Sequence, residues 1–451
     1  MNKPQFTLVG GGLVGSLLAI YLERAGFDVK VYEKRGDPRS TMVYEGRSIN
    51  LALSHRGIRA LEEIGCDKKI LQASVPMYGR MIHDVNGNTQ FQPYGEENQC
   101  IYSISRSALN RLLTEQAESN GVEFYFNKYC KALDVKEKKI WLENTADNSI
   151  QTLSYNWLIG ADGAFSRVRE FLSTNEGFTS HIQKLGHGYK ELHIPPVNGD
   201  YGMEKNALHI WPREQFMLIA LPNTDASFTA TLFLPLRGEY SFEQIKTEDD
   251  IKFFFQTHFP DALSLIPELE KKYFSAEASF LVTVHAFPWA YKDEVLLVGD
   301  AAHAIVPFYG QGMNAGFEGM RILNSLIRQT LHNPGDTFKL YETLRKKDTD
   351  AIAELALNNF IEMRDLVADE NFLLRKKIEA LIHQKIPSYL PLYSMVTFSD
   401  IPYSEALEKG KIHDQMMGEI MQIKDIQKIW DTDHGWHEIQ KILRLYQNVY
   451  Q

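Results

Sequence analysis

Gln5-Phe-Thr-Leu-Val-Gly10-Gly-Gly-Leu-Val-Gly15 decides the fold. Phe6-Thr-Leu-Val9 reads as a short apolar strand. Gly10, Gly12 and Gly15 follow it in the GxGxxG spacing. Leu13, Leu17, Leu18, Tyr21 and Leu22 then recur at helical period over 13–25, and Gly26 stops that helix. Val29-Lys-Val-Tyr32 is the second strand. Short connections make this a βαβ unit, with parallel strands and a crossover helix. Gly10 serves the tight turn, Gly12 the approach of a pyrophosphate and Gly15 close helix–strand packing. The helix N-terminus offers free N–H groups to phosphate. Glu33 ends the second strand 18 residues after Gly15, where a carboxylate accepts hydrogen bonds from ribose hydroxyls. This first segment implies a dinucleotide without choosing FAD over NAD.

A distant segment makes the choice. Leu296-Leu-Val-Gly-Asp300-Ala-Ala-His303 puts Asp300 at the carboxyl edge of an apolar strand, where it can hold a ribityl hydroxyl. Pro307-Phe-Tyr-Gly-Gln-Gly-Met-Asn314-Ala-Gly316 follows. Its Gly310-Gln-Gly312 turn opens a helix and aims N–H groups at an anion. Reduction of a flavin places negative charge on its N1–C2=O edge, which needs such donors. NAD sites have no counterpart to this second loop, so the expected dinucleotide is FAD. His303, inside the same segment, reads as structural rather than as an acid or base.

Between and beyond these segments the texture changes twice. Residues 55–73 and 105–120 read as helical, and Asp84-Val-Asn-Gly-Asn88 marks a hairpin within 84–95. From about 180 to 285, short alternating segments such as Leu208-His-Ile-Trp211, Met217-Leu-Ile-Ala220 and Phe228-Thr-Ala-Thr-Leu-Phe233 predict antiparallel sheet. After about 315 the pattern is helical. The expected fold is α/β: a discontinuous Rossmann-like FAD-binding domain (1–180 and 285–320), an inserted antiparallel-sheet substrate domain (181–284), and a C-terminal helical region (321–451) covering the active site.

At 451 residues the chain is long enough for such an arrangement. A formal net charge of −10 argues against a nucleic-acid surface. The three cysteines, Cys66, Cys100 and Cys130, form no pair motif, which fits a reduced, cytoplasmic, soluble chain with no metal site. No signal peptide is evident, and no apolar run approaches the ~18 residues of a membrane span. In the tail, Ile420, Ile423, Ile426 and Ile429 have helical spacing that predicts packing on the host domain. Oligomeric state is not readable.

The GxGxxG, the Asp162-Gly163 pair in Gly160-Ala-Asp-Gly-Ala-Phe-Ser-Arg-Val-Arg169, and the Gly299-Asp300 loop together resemble the single-component flavoprotein monooxygenases of the p-hydroxybenzoate hydroxylase type. In that family the Asp-Gly segment serves both FAD and NAD(P)H. A narrower resemblance, collinear over about 5–405, rests on Arg47-Ser-Ile-Asn-Leu-Ala-Leu-Ser-His-Arg-Gly57, Arg80-Met-Ile-His83, Leu208-His-Ile-Trp-Pro-Arg213, Ala304-Ile-Val-Pro-Phe-Tyr-Gly-Gln-Gly-Met-Asn314 and Asn359-Phe-Ile-Glu-Met-Arg364. It implies a tightly bound, non-covalent FAD, with NADPH and O2 as co-substrates. It also implies hydroxylation of L-kynurenine by way of a C4a-hydroperoxyflavin, a step of tryptophan degradation. On the flavin side the match adds Val14, Tyr32, Lys34, Arg35, Ala52, Arg106, Cys130, Met313 and Asn314 to Gly10, Gly12, Gly15, Glu33, Asp300 and Gly312. Cys130 stands where relatives have an apolar residue.

A substrate with a carboxylate, an ammonium, a ketone and an aniline ring wants a forked guanidinium and a hydroxyl for its carboxylate. The resemblance assigns that pair to Arg80 and Tyr94. It puts Asn359 near the amino-acid end or ketone, Tyr393 at the pocket, and Glu362, Met363 and Phe308 beside it. The family usually has Phe or His at Tyr309, so loop contacts differ there. No catalytic acid or base is expected, because the aniline nitrogen already activates the ring; the protein supplies position and dryness. Two rivals stand beside this reading. The Arg80–Tyr94 pair would suit a hydroxylase of another aromatic acid, and the glycine loops alone would suit a flavin-binding sensor without turnover.

Overall fold

The computed structural model describes residues 4–40, 50–95, 98–330, 333–366 and 369–446. Positions 47–49 of the Arg47–Gly57 motif lie outside the described residues.

The glycine-loop unit forms as its sequence predicts. Strands Gln5–Val9 and Asp28–Tyr32 run parallel in register Phe6↔Val29 through Val9↔Tyr32, with helix Leu13–Arg24 between them. Gly26 takes φ +95°, which ends the helix at no steric cost to a residue without Cβ. Leu17, Leu18, Tyr21 and Leu22 are buried. They pack this helix among helices Arg106–Ser119 and Gly312–Gln329 and the sheet. Burying each such side chain stabilises by about 1.5–3 kcal/mol.

The sheet has six strands in the order Ala290–Tyr291, Val295–Leu297, Trp157–Gly160, Gln5–Val9, Asp28–Tyr32 and Glu123–Tyr125. All neighbours are parallel except the first pair. Val295–Leu297 joins this sheet from far along the chain, which brings the loop after it to the carboxyl edge beside the glycine loop.

The middle third differs from its prediction in two ways. Its seven-stranded sheet runs Ser279–Phe287, Thr179–Ile194, Phe228–Pro235, Phe216–Pro222, Ala207–Arg213, Gly79–His83, Thr89–Pro93. It is therefore mixed, because Ala207–Arg213 pairs parallel with Gly79–His83, a strand of the 79–93 hairpin from the first third. Three helices, Glu248–His258, Pro260–Leu263 and Leu269–Ser275, also lie within the stretch expected to be sheet. Thr247 accepts from Asp250 N–H while Asp250 caps the backbone in return, a capping box that the sequence displays. These helices cover one face of the sheet. Phe228, Ala230, Leu232 and Leu234 point toward them, while Phe233 on the opposite face meets Phe308.

The predicted helical stretch 55–73 is broken into His55–Glu63 and Asp67–Gln72, with Gly65 at φ +71° between them. The C-terminal region is helical as expected. Its last helices, Tyr403–Ile420, Ile426–Ile429 and Asp433–Leu445, pack with Glu370–Lys385 around Ile378, Ile382, Met417, Ile420 and Ile439. Among the described residues, no helix is long and apolar enough to cross a membrane.

Candidate active site

The glycine loop is built by close approach. A Cβ on Gly15 would stand 2.0 Å from the Gly10 carbonyl oxygen, and Gly10 itself sits at φ +108°. Gly12 differs: nothing lies within 4 Å of a Cβ placed there, so the space before the helix N-terminus is open. Glu33 closes the loop from the second strand. Its carboxylate accepts from Gly11 N–H at 2.8 Å and from Arg35 N–H at 2.9 Å. Each oxygen keeps a lone pair for a further donor. Tyr32 stacks on Tyr125 at 5.0 Å, and Lys34 and Arg35 are exposed just beyond. Cys130 is buried in strand Lys128–Asp134, and burial pushes its thiol up to about 12.

The second loop faces the first. Gly299 turns at φ +57°, and a Cβ there would meet Val14 at 3.1 Å. Burial raises the pKa of Asp300, and the charge of Arg106, first residue of helix Arg106–Ser119, opposes that rise. Asn314 is buried; its Nδ2 donates to the carbonyls of Ala52 (2.9 Å) and Gly310 (2.8 Å), and its Oδ1 accepts from Ser54 N–H (3.0 Å). Asn314 thus fixes the Gly310–Gly312 turn against strand Asn50–Leu53. Gly312 and Met313 open helix Gly312–Gln329, whose first-turn N–H groups have no acceptor within the helix. Two donor-rich helix starts, an open glycine cradle, a carboxylate at a strand end and Asp300 beside Arg106 suit a bound FAD. His303 lies against Trp289 at 4.9 Å between ring centroids, and burial lowers it to about 3, which leaves it a neutral packed side chain.

Beyond the second loop, three separate regions meet. Arg80 comes from the hairpin, Tyr94 from its end, and Tyr393 from helix Leu392–Thr397. Tyr94 and Tyr393 stack at 5.1 Å and 11°. The Arg80 guanidinium stands 5.0 Å from the Tyr393 ring and 5.8 Å from that of Tyr94. Phe308 and Tyr309, in the turn Pro307–Tyr309, join this group. Tyr309 stacks on Tyr393 at 5.6 Å, and Phe308 on Phe360 at 4.1 Å. Asn359 is buried near the end of helix Asp336–Ile361 and donates to the Phe308 carbonyl at 2.7 Å and to Met363 Sδ at 3.3 Å. Glu362 begins a π-helical turn, Glu362–Leu366, and pairs with Arg80 at 3.7 Å and Lys376 at 3.8 Å. Burial holds the Tyr94 and Tyr309 hydroxyls far above the usual phenol range, so both remain O–H donors.

Two polar atoms in this group are buried with no hydrogen-bond partner: Arg80 Nε and the Tyr94 hydroxyl. Leaving such donors unmet costs about 1–3 kcal/mol each. An anionic ligand would satisfy both. Every residue expected at the substrate end is therefore brought together, although the chain separates them widely. The sequence reading did not single out Phe360 or Lys376. Phe360 lies inside a quoted motif; Lys376 is one of many charges on a helix, and nothing local marks it.

The paired loops and the fold define a flavin-dependent monooxygenase: the family model "FAD binding domain" matches residues 4–354. The tetrameric form of 2-methyl-3-hydroxypyridine-5-carboxylic acid oxygenase shares the fold with a TM-score of 0.67 at 22% identity, over 81% of this chain and 94% of that one. The kynurenine 3-monooxygenase of Cytophaga hutchinsonii is 49% identical, over 98% of this chain and all (100%) of that protein. The enzymes of the same name from Flavobacterium psychrophilum (46%, 98% of this chain and 99% of that one) and Dictyostelium discoideum (44%, 96% of each) agree. The chain belongs to the kynurenine 3-monooxygenase family. It is an FAD enzyme.

Proposed function

We propose that this protein hydroxylates L-kynurenine to 3-hydroxy-L-kynurenine, and that Arg80 and Tyr94 receive the substrate carboxylate. The observation that carries the reading is the pair of unmet buried donors, Arg80 Nε and Tyr94 O–H, beside the aromatic wall of the second glycine loop. Bound FAD, reduced by NADPH, supplies the activation of O2.

The chain's own residues then do three things. Gly10, Gly12, Val14, Gly15, Tyr32, Glu33, Lys34 and Arg35 would hold the adenosine and pyrophosphate half of the cofactor. Cys130, on the strand beside Glu33, and Arg106, reaching the pyrophosphate, would join them, while Ala52, Asp300, Gly312, Met313 and Asn314 would hold the ribityl and isoalloxazine half. Arg80 and Tyr94 orient the amino-acid end, with Glu362 and the free Asn359 Oδ1 available to the ammonium. Phe308, Met363 and Tyr393 exclude water from the ring. No side chain has to abstract a proton before oxygen transfer, since the aniline nitrogen makes its ortho carbon nucleophilic.

This reading divides the chain into an FAD-binding domain (1–180 and 285–320), a sheet domain (181–284) that borrows the 79–93 hairpin, and a helical cover (321–451). Asn359 and Tyr393 support the cover, because both reach the Arg80 group from that region. A soluble, cytoplasmic location belongs to the same proposal; the cysteines Cys66, Cys100 and Cys130, none of them in a disulfide, are in keeping with it. Anaerobic stopped-flow spectroscopy tests the substrate. Kynurenine should accelerate flavin reduction by NADPH, and 3-hydroxykynurenine should form in air. If neither occurs, the substrate assignment is lost.

A further inference from the structure

We propose that Gln92 is a third donor for the substrate carboxylate, completing the clamp of Arg80 and Tyr94; this rests on the substrate reading above. Three observations converge on it. Arg80 and Gln92 are directly opposed in the antiparallel hairpin, which puts their side chains on one face with Cβ atoms about 5 Å apart. Tyr94 follows two residues later, and its N–H donates to the Tyr78 carbonyl at 3.0 Å, so the ladder and its alternation continue through it. Gln92 and Tyr94 therefore share the Arg80 face. Ile82, two residues along on the Arg80 face, packs in one cluster with Phe308, Tyr309 and Met363, which turns the Gln92 side toward that group.

The third observation is the state of the amide. Gln92 Nε2 is sealed from solvent and has no hydrogen-bond partner, like Arg80 Nε and the Tyr94 hydroxyl. Three unmet donors on one face of one hairpin share a single remedy: a group with several acceptor lone pairs. A carboxylate offers about four, enough for all three. An ammonium offers none, and a ketone oxygen offers two. A hairpin that carries this triad also fixes its spacing rigidly, since the register holds all three side chains.

The experiment uses the FAD-loaded enzyme with Gln92→Leu and Gln92→Glu. Wild type is measured first; if kynurenine does not bind it, the substrate reading fails and not this inference. Given binding, Gln92→Leu should raise the kynurenine KM and Kd by about ten- to hundredfold, the range for a hydrogen bond to a charged group, with kcat changed far less. Gln92→Glu should weaken binding further by repulsion. FAD content and the flavin spectrum should stay at wild-type values, and the melting temperature of ligand-free Gln92→Leu should not fall, which a merely structural, hydrogen-bonded glutamine would not allow. The analogue with hydrogen in place of the carboxylate should bind Gln92→Leu and wild type equally. A Gln92→Leu KM within twofold of wild type would overturn the proposal. So would an equal loss with the decarboxylated analogue, which would move Gln92 to the ketone.

Discussion

The hydroxyl of Tyr403 donates to Gln311 Oε1 at 2.9 Å, with both side chains buried. Gln311 is the central residue of the second glycine turn, and Tyr403 opens a helix of the C-terminal region. The Arg56 guanidinium lies 4.1 Å from the Tyr403 ring, and Arg56 is itself held by Glu318 and by the carbonyls of Val396 and Ile401. The loop expected to face the flavin is thus tied to the helical cover by this buried hydrogen bond, as it is by that from Asn359 to the Phe308 carbonyl.

Tyr403→Phe removes that bond and leaves the Gln311 oxygen buried without a donor, at a cost of about 1–3 kcal/mol. The expected result is a lower melting temperature together with a larger share of NADPH oxidation ending in H2O2. An oxygen electrode with catalase added after turnover measures that share. Unchanged coupling would show that the loop does not depend on this contact.

Arg80→Ala should lose kynurenine affinity by about 2–5 kcal/mol in binding free energy, as expected when one partner of a buried charge pair is deleted. FAD content should be retained, because Arg80 stands with the substrate residues. Arg80→Lys should recover little, since an ammonium lacks the forked geometry. Titration of the bound flavin's absorbance with kynurenine checks both variants; loss of FAD instead would relocate Arg80 to the cofactor.

Glu318 is buried between two arginines, Arg56 and Arg345, the latter at 2.9 Å. Glu318→Ala strips both cations of this partner. Breaking such a buried pair costs about 3–5 kcal/mol, so the variant should unfold at markedly lower denaturant concentration. Glu318→Gln, which keeps an acceptor, should lose less. A urea titration followed by far-UV circular dichroism reads both.

Acid should destabilise the protein through its buried histidines. Burial lowers His303 from 6.5 to about 3 and His413 from 6.5 to about 4. Below 6.5 the unfolded chain binds protons that the folded chain refuses. Stability therefore falls as pH drops from 6.5 toward those values, with a slope of at most about 1.4 kcal/mol per pH unit for each group. His303→Asn should flatten the slope of melting temperature against pH between 6 and 4. An unchanged slope would mean that His303 is already charged in the folded protein.

Much of this was legible beforehand, for reasons particular to each element. Gly10 and Gly15 announce themselves because no other residue fits φ +108° or a carbonyl 2.0 Å from its Cβ position. Val295–Leu297 announces itself because a strand buried on both faces must be apolar throughout. The helices of 248–275 carry one local signal, the capping box of Thr247 and Asp250, amid strand-like segments that dominate the pattern. The partnership of Gly79–His83 with Ala207–Arg213 leaves no mark in either strand, because parallel pairing between distant segments is set by the sheet they complete.

Backbone sterics and periodicity, acting within a few residues, suffice to specify the two glycine loops, the strand–helix–strand unit and Glu33. Resemblance, and not spacing, singled out Arg80, Tyr94, Asn359 and Tyr393. It takes the packing of distant segments to make these four meet, to stack Tyr309 on Tyr393 and Phe360 on Phe308, and to set Gln92 opposite Arg80. Which side chains share a desolvated space depends on sheet register and on how distant helices pack, and neither is encoded within a few neighbouring residues.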